Sequence, residues 1–127
     1  MTASPIGDMA PAMVALNAVA VVQSAQGQRC LPMDQFLSGY RSTELAAGEV
    51  LVRIDWPHPG PRQQLGVYKV SKRRELDIST VALGALVTLS DTGVVEDIRL
   101  AFGGVAPRAG ARAHQTCLLY TSPSPRD

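Results

Sequence analysis

A cluster of prolines divides this chain near its middle. Residues 57–61 read Pro-His-Pro-Gly-Pro, with three prolines in five residues. Each proline has a fixed φ and lacks a backbone N–H, so no strand of a sheet can run through the segment. The segment therefore predicts a connection between two separately organised parts. We place the boundary here, with one part over residues 1–57 and a second over residues 58–116.

The first part opens with a short predicted helix over residues 8–16. Asp8 can cap this helix, and Pro11 falls in its first turn, where a missing N–H leaves no hydrogen bond unmade. Asn17 is the expected end of the helix. The alanine-rich composition between these positions agrees with a helical assignment.

The rest of the first part is predicted to form short strands and loops. A Val-rich run, a Gln-Gly turn and a second extended run favour a hairpin, and a helical turn, a surface loop and an alternating strand follow. These elements cover residues 18–31, 33–37, 39–48 and 50–56. In the last strand Val50, Val52, Ile54 and Trp56 share one face and Leu51 lies on the other, which is the pattern of a half-buried strand.

The second part is predicted to be an antiparallel meander. Two apolar runs at residues 78–89 and 94–102 are joined by Ser-Asp-Thr-Gly, a hairpin signal, and a shorter strand at residues 65–71 precedes them. With the helix of the first part, this predicts an α+β fold. An apolar sheet must be covered on one face. Since no helix follows within the sequence, we expect the chain to be an incomplete piece whose cover lies elsewhere.

Composition excludes several functional classes. The chain has 127 residues, 46% of them hydrophobic, and a net charge of +1, which is too weak a field to favour nucleic acid or an anionic membrane as partner. The apolar run at residues 13–22 is broken by Asn17 and is about half as long as a membrane span. Because residues 1–11 have no basic segment of a secretory signal, we predict a cytoplasmic protein.

The end of the chain reads CLLYTSPSPRD over residues 117–127. This stretch resembles a translated sequencing adapter, and technical sequence of this kind is excluded from fold reasoning. Its removal leaves Cys30 as the single cysteine, so we expect no disulfide. A native Ser/Pro-rich tail is the alternative.

No catalytic or metal-binding constellation can be assembled from residue spacing. His58 and His114 are far apart and have no cysteine or acidic cluster beside them, so we predict surface roles for both. The basic cluster of residues 69–74 has three interpretations: a solvated face, a contact to an anionic cofactor, or a nucleic-acid patch. Without interleaved aromatic residues the last is disfavoured.

Four blocks of the sequence resemble the FAD-binding region of the molybdenum hydroxylases, the group of enzymes that includes xanthine dehydrogenase. The blocks are ASPIGD at residues 3–8, GYRST at residues 39–43 with the Gly-Glu and strand that follow, YKVSKRR at residues 68–74, and LAFGGVAP at residues 100–107. Their order and spacing agree across residues 3–113. The first three are similar to the FAD-binding lobe and its continuation, and the last to the opening of the flavoprotein C-terminal domain.

The resemblance implies a cofactor site with residues from both parts. Asp8 takes the place of an acidic residue that contacts FAD, and Ser4 belongs to the same block. Leu51 takes the place of a strand residue beside the flavin. Lys69 takes the place of a lysine near the flavin ring. A carboxylate can accept hydrogen bonds from polyol hydroxyls, and a backbone amide at Leu51 can donate to a ring acceptor. A lysine near the flavin raises its reduction potential. Arg73 and Arg74 are weaker candidates for the nicotinamide side.

The resemblance also implies partners. In a parent enzyme, electrons would pass from a molybdenum cofactor through [2Fe-2S] clusters to FAD and then to NAD, with a purine such as xanthine as substrate. This chain alone is expected to be inactive. Two alternatives stay open: the flavoprotein of a molybdenum hydroxylase for carbon monoxide, an aldehyde or an aromatic thioester, and a non-enzymatic interaction module that uses residues 69–74.

Overall fold

The computed structural model describes residues 2–73 and 77–121, with side chains as far as residue 117. Within these residues the fold is α+β, with three helices and two antiparallel sheets. The helices are α1 (Met9–Ala15), α2 (Met33–Phe36) and α3 (His114–Thr121). The first sheet contains β1 (Val19–Ser24), β2 (Gly27–Pro32) and β3 (Val50–Asp55), and the second contains β4 (Gln63–Ser71), β5 (Ser79–Leu89), β6 (Val95–Gly103) and β7 (Ala111–Arg112).

Helix α1 lies where the sequence predicted it. Asn17 follows the helix with φ of 53°, a left-handed conformation that asparagine adopts more readily than most residues. The N–H of Ala18 then bonds back to the carbonyl of Met13 at 2.8 Å. The predicted end of the helix at Asn17 is therefore confirmed.

The first sheet buries its central strand. The order is β2-β1-β3, and in β1 Ala20, Val21 and Val22 are at most 1% exposed. Met33 and Phe36 of α2 belong to the same buried set. The helical turn is amphipathic in effect, because it places both of its large apolar side chains in this core.

Strand β3 departs from its predicted face pattern. Its register with β1 shifts by one residue, which leaves Val52 without a partner of its own. Such a bulge reverses the alternation of side chains beyond it. As a result Leu51 and Ile54 pack against the core, whereas Val50, Val52 and Trp56 are 58%, 46% and 54% exposed. The strand was predicted correctly, but its single apolar face was wrong.

The second sheet is the predicted meander, in the order β4-β5-β6-β7. The turn between β5 and β6 closes with the N–H of Ser90 on the carbonyl of Val94 at 2.7 Å, and Gly93 in it has φ of 82°. A glycine is favoured there because a side chain disfavours this conformation. Strand β7 and helix α3 extend the second part beyond what the sequence predicted.

Helix α1 precedes the proline-rich connection but lies on the second sheet, where it contacts β5, β6 and β7. At the crossing, a methyl group added to Gly84 would lie 2.7 Å from the backbone nitrogen of Ala12 and closer still to the carbonyl of Pro11. The helix backbone therefore rests directly on the strand. The expectation that this sheet's cover lies elsewhere was wrong for this face, because α1 supplies it.

Two sequence predictions fall wholly or partly outside the described residues. Arg74, the last residue of the basic cluster at residues 69–74, lies outside them. The suspected foreign tail begins inside α3 and continues into residues 122–127, so its origin stays a prediction. In the described part of the chain, no helix has both the length and the apolar character needed to cross a membrane.

Candidate cofactor site

A proline turn sets the positions of Ser4 and Asp8. The N–H of Gly7 donates to the carbonyl of Ser4 at 3.0 Å, with Pro5 at the second position of the turn, where its fixed φ is favoured. The carbonyl of Pro5 accepts the N–H of Gly104 at 2.9 Å, just after β6. The turn is thereby tied to the second sheet, and Asp8 follows it at the start of α1.

Asp8 joins the two parts of the chain through its side chain. Its Oδ2 accepts a hydrogen bond from Nζ of Lys69 at 2.8 Å, and its Oδ1 accepts one from Oγ of Ser79. Lys69 lies on β4 and Ser79 begins β5. The side chains of Asp8 and Lys69 are 53% and 39% exposed, so this pair is at the surface.

These contacts favour the charged form of Asp8. The hydrogen bond from Lys69, and after it the one from Ser79, lowers the pKa of this carboxyl below its ordinary 3.8, against a small opposing effect of burial. Asp8 stands at the expected N-cap position of α1, but its side chain does not cap the helix.

A cleft of about 270 Å³ opens beside this carboxylate. Ser4 and Asp8 contribute polar groups to its lining, and Met13 and Leu37 contribute apolar ones. Ala3, which also lines it, is 5% exposed and has φ of 45°. A non-glycine residue in this conformation is strained, and such residues concentrate at functional sites.

The structure brings together three of the four predicted site residues. Ser4 and Asp8 line one cleft, and Lys69 is bound to Asp8. Leu51 lies on the other sheet, on β3, and its side chain packs against the core.

Ser79 is a member of the site that sequence reasoning missed. It is 3% exposed, and its hydroxyl reaches Asp8 across 71 residues of sequence. The available signal was weak: a lone hydroxyl at the start of a long apolar run. Such serines are common in strands, so the signal did not separate Ser79 from its neighbours.

The loop after β4 carries the other described residues of the basic cluster, Lys72 and Arg73. Lys69, Lys72 and Arg73 line a shallow depression of about 380 Å³, and the N–H of Arg73 donates to Asp77 at 3.1 Å. Because Lys69 is paired with Asp8, the basic cluster is not one uniform charged face. Among residues 2–73 and 77–121 no group of three or more potential metal-ligating side chains occurs.

A second ion pair, in the first part, was also missed. Nε and Nη2 of Arg29 on β2 donate to the two carboxylate oxygens of Glu49 at 2.6 and 2.7 Å, and Nη2 also donates to the carbonyl of Glu44 at 2.5 Å. The N–H of Ala46 adds a bond to Glu49 at 2.7 Å. We call this arrangement the Glu49 clamp, since it holds the end of the loop that precedes β3 against β2.

Comparison with known families agrees with this architecture. Residues 1–59 match the family described as FAD binding domain in molybdopterin dehydrogenase. Residues 66–121 match the CO dehydrogenase flavoprotein C-terminal domain. Residues 1–59 thus belong to the first of these domain families, and residues 66–121 to the second. The α+β fold class and the family resemblance predicted from the sequence are thus confirmed.

Individual proteins similar to this chain include two xanthine dehydrogenases and a carbon monoxide dehydrogenase of known structure. The chain is 37% identical to xanthine dehydrogenase of Emericella nidulans over 97% of its own length and 9% of that protein's. It is 40% identical to xanthine dehydrogenase of Blastobotrys adeninivorans over 84% of the chain and 8% of the relative. Among solved structures, carbon monoxide dehydrogenase from Hydrogenophaga pseudoflava matches with a TM-score of 0.80 and 28% identity, over 88% of the chain and 38% of that structure's chain.

Proposed function

We propose that this chain forms one wall of an FAD site in a molybdenum hydroxylase. The observation that carries the proposal is the pairing of Asp8 with Lys69 beside the cleft that Ser4 lines. Each of these residues was assigned to the cofactor from the sequence separately. The sequence assignment did not assume that Asp8 and Lys69 contact each other. Their hydrogen bond, between residues 61 positions apart, therefore supports the proposal independently.

The chemistry of the site fits part of a flavin nucleotide. Asp8 is charged and about half exposed, so its carboxylate has acceptor capacity left for polyol hydroxyls after Lys69 and Ser79 are bound. The hydroxyl of Ser4 can donate or accept, and the partly exposed apolar side chain of Met13 suits a ring surface. The cleft accommodates only a portion of so large a ligand, which agrees with a single wall.

Bound FAD would supply the redox chemistry, as the carrier between iron–sulfur clusters and an electron acceptor. The residues of this chain would bind and orient it. Lys69 would place a positive charge at the cofactor, and its bond to Asp8 would fix where that charge lies. Leu51 remains a proposed contact through its backbone amide.

The parent enzyme is proposed to be a xanthine dehydrogenase-like oxidoreductase. The chain spans 9% and 8% of the two fungal relatives, so the activity, a purine substrate and NAD as acceptor are inferred from their names. [2Fe-2S] clusters and a molybdenum cofactor would be carried by other domains or subunits. A cytoplasmic location and the domain division after residue 57 belong to the same proposal.

A second candidate is the flavoprotein part of a hydroxylase for another substrate. The solved carbon monoxide dehydrogenase shares the fold and 28% of the sequence, and a nicotinate hydroxylase of Emericella nidulans is 34% identical over 91% of the chain. Reduction of the full-length protein by xanthine, nicotinate or carbon monoxide would separate these. The interaction-module alternative loses support, because Lys69 is already engaged by Asp8.

Flavin titration of the full-length protein tests the proposal. Asp8→Ala and Lys69→Ala should each weaken FAD binding about tenfold or more, because hydrogen bonds to charged groups contribute about 1.5–3 kcal/mol. Glu96→Gln, at an exposed ion pair with Arg62, is the matched control and should bind FAD normally. Unchanged FAD affinity in both site variants would rule out this wall as the cofactor site.

A further inference from the structure

Ser79 is the one polar residue of the described chain that lies fully buried, at 3% exposure. It is the first residue of β5, at the point where the loop from β4 returns to the sheet. A buried hydroxyl without a partner is costly, so its hydrogen bond matters. That bond goes to Oδ1 of Asp8.

A bulge puts Ser79 in reach of Asp8. Ser71 pairs with Ser79 and Val70 pairs with Val81, so Thr80 is an extra residue in β5. Without it, Ser79 and Val81 would share one face of the strand. With it, Ser79 joins the face that carries Ala82, which is the face covered by α1.

The carboxylate of Asp8 is thereby held at both oxygens. Ser79 donates to Oδ1 from β5, and Lys69 donates to Oδ2 from β4 at 2.8 Å. Two donors on two neighbouring strands leave a carboxylate little freedom to rotate. The remaining acceptor directions of both oxygens are then fixed relative to the cleft.

We propose that Ser79 is a positioning residue for flavin binding, which orients the Asp8 carboxylate toward the cofactor without touching it. This inference rests on the proposed function. The hydroxyl of Ser79 would set the direction in which the carboxylate of Asp8 accepts hydrogen bonds. Binding affinity, rather than folding, is then the property that Ser79 controls.

If Ser79 had a purely structural role, removal of its hydroxyl would lower the folding stability. Asp8 is 53% exposed, so water can replace the hydroxyl of Ser79 as a donor to Oδ1. Removal of that hydroxyl should therefore change the folding stability little. What water does not replace is the fixed direction of the carboxylate.

The test measures FAD affinity and thermal stability of the full-length protein with Ser79→Ala. The dissociation constant for FAD should rise about three- to tenfold, the range expected when one hydrogen bond is lost. The melting midpoint should remain close to that of the wild type. Ser79→Thr, which restores the hydroxyl, should recover most of the affinity, and Ser79→Cys, of similar size but a weaker donor, should fall in between.

The Asp8→Ala background separates the possible failures. There, Ser79→Ala should cause no further loss of affinity, because the group that Ser79 orients is gone. If Asp8→Ala weakens FAD binding while Ser79→Ala does not, the positioning role is wrong and the proposed function stands. If Asp8→Ala itself binds FAD normally, both are wrong. Should Ser79→Ala fail to fold, the positioning role requires weaker FAD binding in Ser79→Cys, and wild-type affinity there overturns it.

Discussion

Two carboxylates of this protein, Glu49 and Asp8, are held by basic side chains in opposite ways. Glu49 is 10% exposed, and its donors, Arg29 and Ala46, both come from the first part of the chain. Asp8 is 53% exposed, and its donors come from two strands of the second part. The first carboxylate is enclosed by its partners, and the second stands beside a cleft.

The exposure of each carboxylate decides what its ion pair can do. A carboxylate that already accepts three hydrogen bonds and is 10% exposed offers a ligand little access, so the Glu49 clamp acts on the shape of the loop before β3. A half-exposed carboxylate held across a junction keeps open acceptor directions. The exposure and the origin of the partners, rather than the ion pair itself, favour Asp8 over Glu49 as the proposed binding residue.

The largest effect is expected from breaking the junction on which Asp8 depends. Gly84→Ala places a methyl group against the backbone of α1, which cannot yield without moving the helix. The free energy of unfolding should fall by about 3 kcal/mol, and FAD affinity should fall with it. Chemical denaturation and flavin titration of the same samples measure both.

The matched control is Gly48→Ala, at the Glu49 clamp. Gly48 has φ of 80°, and an added methyl group would meet nothing within 4 Å, so only conformational strain is introduced. A cost of about 1 kcal/mol is expected, with FAD affinity little changed. Equal effects of the two glycine variants would contradict the close contact between α1 and β5.

The next effect concerns acid stability through the Glu49 clamp. The hydrogen bonds from Arg29 and Ala46 lower the pKa of Glu49 from 4.5 to about 2. The stability from this depressed pKa is fully present above pH 4.5 and is lost as the pH falls toward 2. Glu49→Gln should therefore be less stable than the wild type at pH 7, and the gap should narrow between pH 4.5 and 2 in acid-unfolding curves.

A smaller effect of the same sign is expected for Asp8. Its pKa is lowered by Lys69 and then by Ser79, so its contribution is present above pH 3.8 and is lost below it. Since the pair is about half exposed, solvent screens it, and Asp8→Asn should shift stability less than Glu49→Gln does. A larger loss of stability in Asp8→Asn than in Glu49→Gln would reverse the assignment of the two carboxylates.

The smallest effect is expected at a surface ion pair, which serves as a reference for the Asp8 and Glu49 variants. Arg62 and Glu96 form a pair at 2.9 Å with side chains 52% and 45% exposed. Glu96→Gln should change the free energy of unfolding by less than about 0.5 kcal/mol, as is usual for surface pairs. A change comparable to that of Glu49→Gln would mean that exposure does not separate these ion pairs.

Most of the fold could be predicted because its signals are local. Asn17 ends α1, and the Gln-Gly and Ser-Asp-Thr-Gly turns join the strands that they were expected to join. Periodicity and turn chemistry act over a few residues, so a single sequence contains them. Strand β7 is two residues long and gave no such signal.

The bulges in β3 and at the start of β5 could not be predicted. An extra residue at Val52 reverses the faces of β3, and one at Thr80 sets the orientation of Ser79. Whether a strand bulges depends on its pairing with a neighbour, which the strand's own sequence does not contain. The wrong face assignment for β3 and the missed Ser79 have this one cause.

The candidate site was predicted as separate residues and not as an arrangement. The resemblance pointed to Asp8 and Lys69, but their 61-residue separation hid that they bind each other. Glu49 lies in one of the resembling blocks, but Arg29 does not, and nothing in the sequence indicated that they form a pair. Long-range side-chain contacts follow from packing, so they became visible only with the fold.

The position of α1 has a consequence for any cut in the proline-rich connection. A protease nick within residues 57–61 would sever the backbone between the helix and the sheet on which it rests, yet the pieces should stay associated through that contact. Two fragments divided there and expressed together should reconstitute, whereas the later fragment alone would expose the apolar surface that α1 shields and should aggregate.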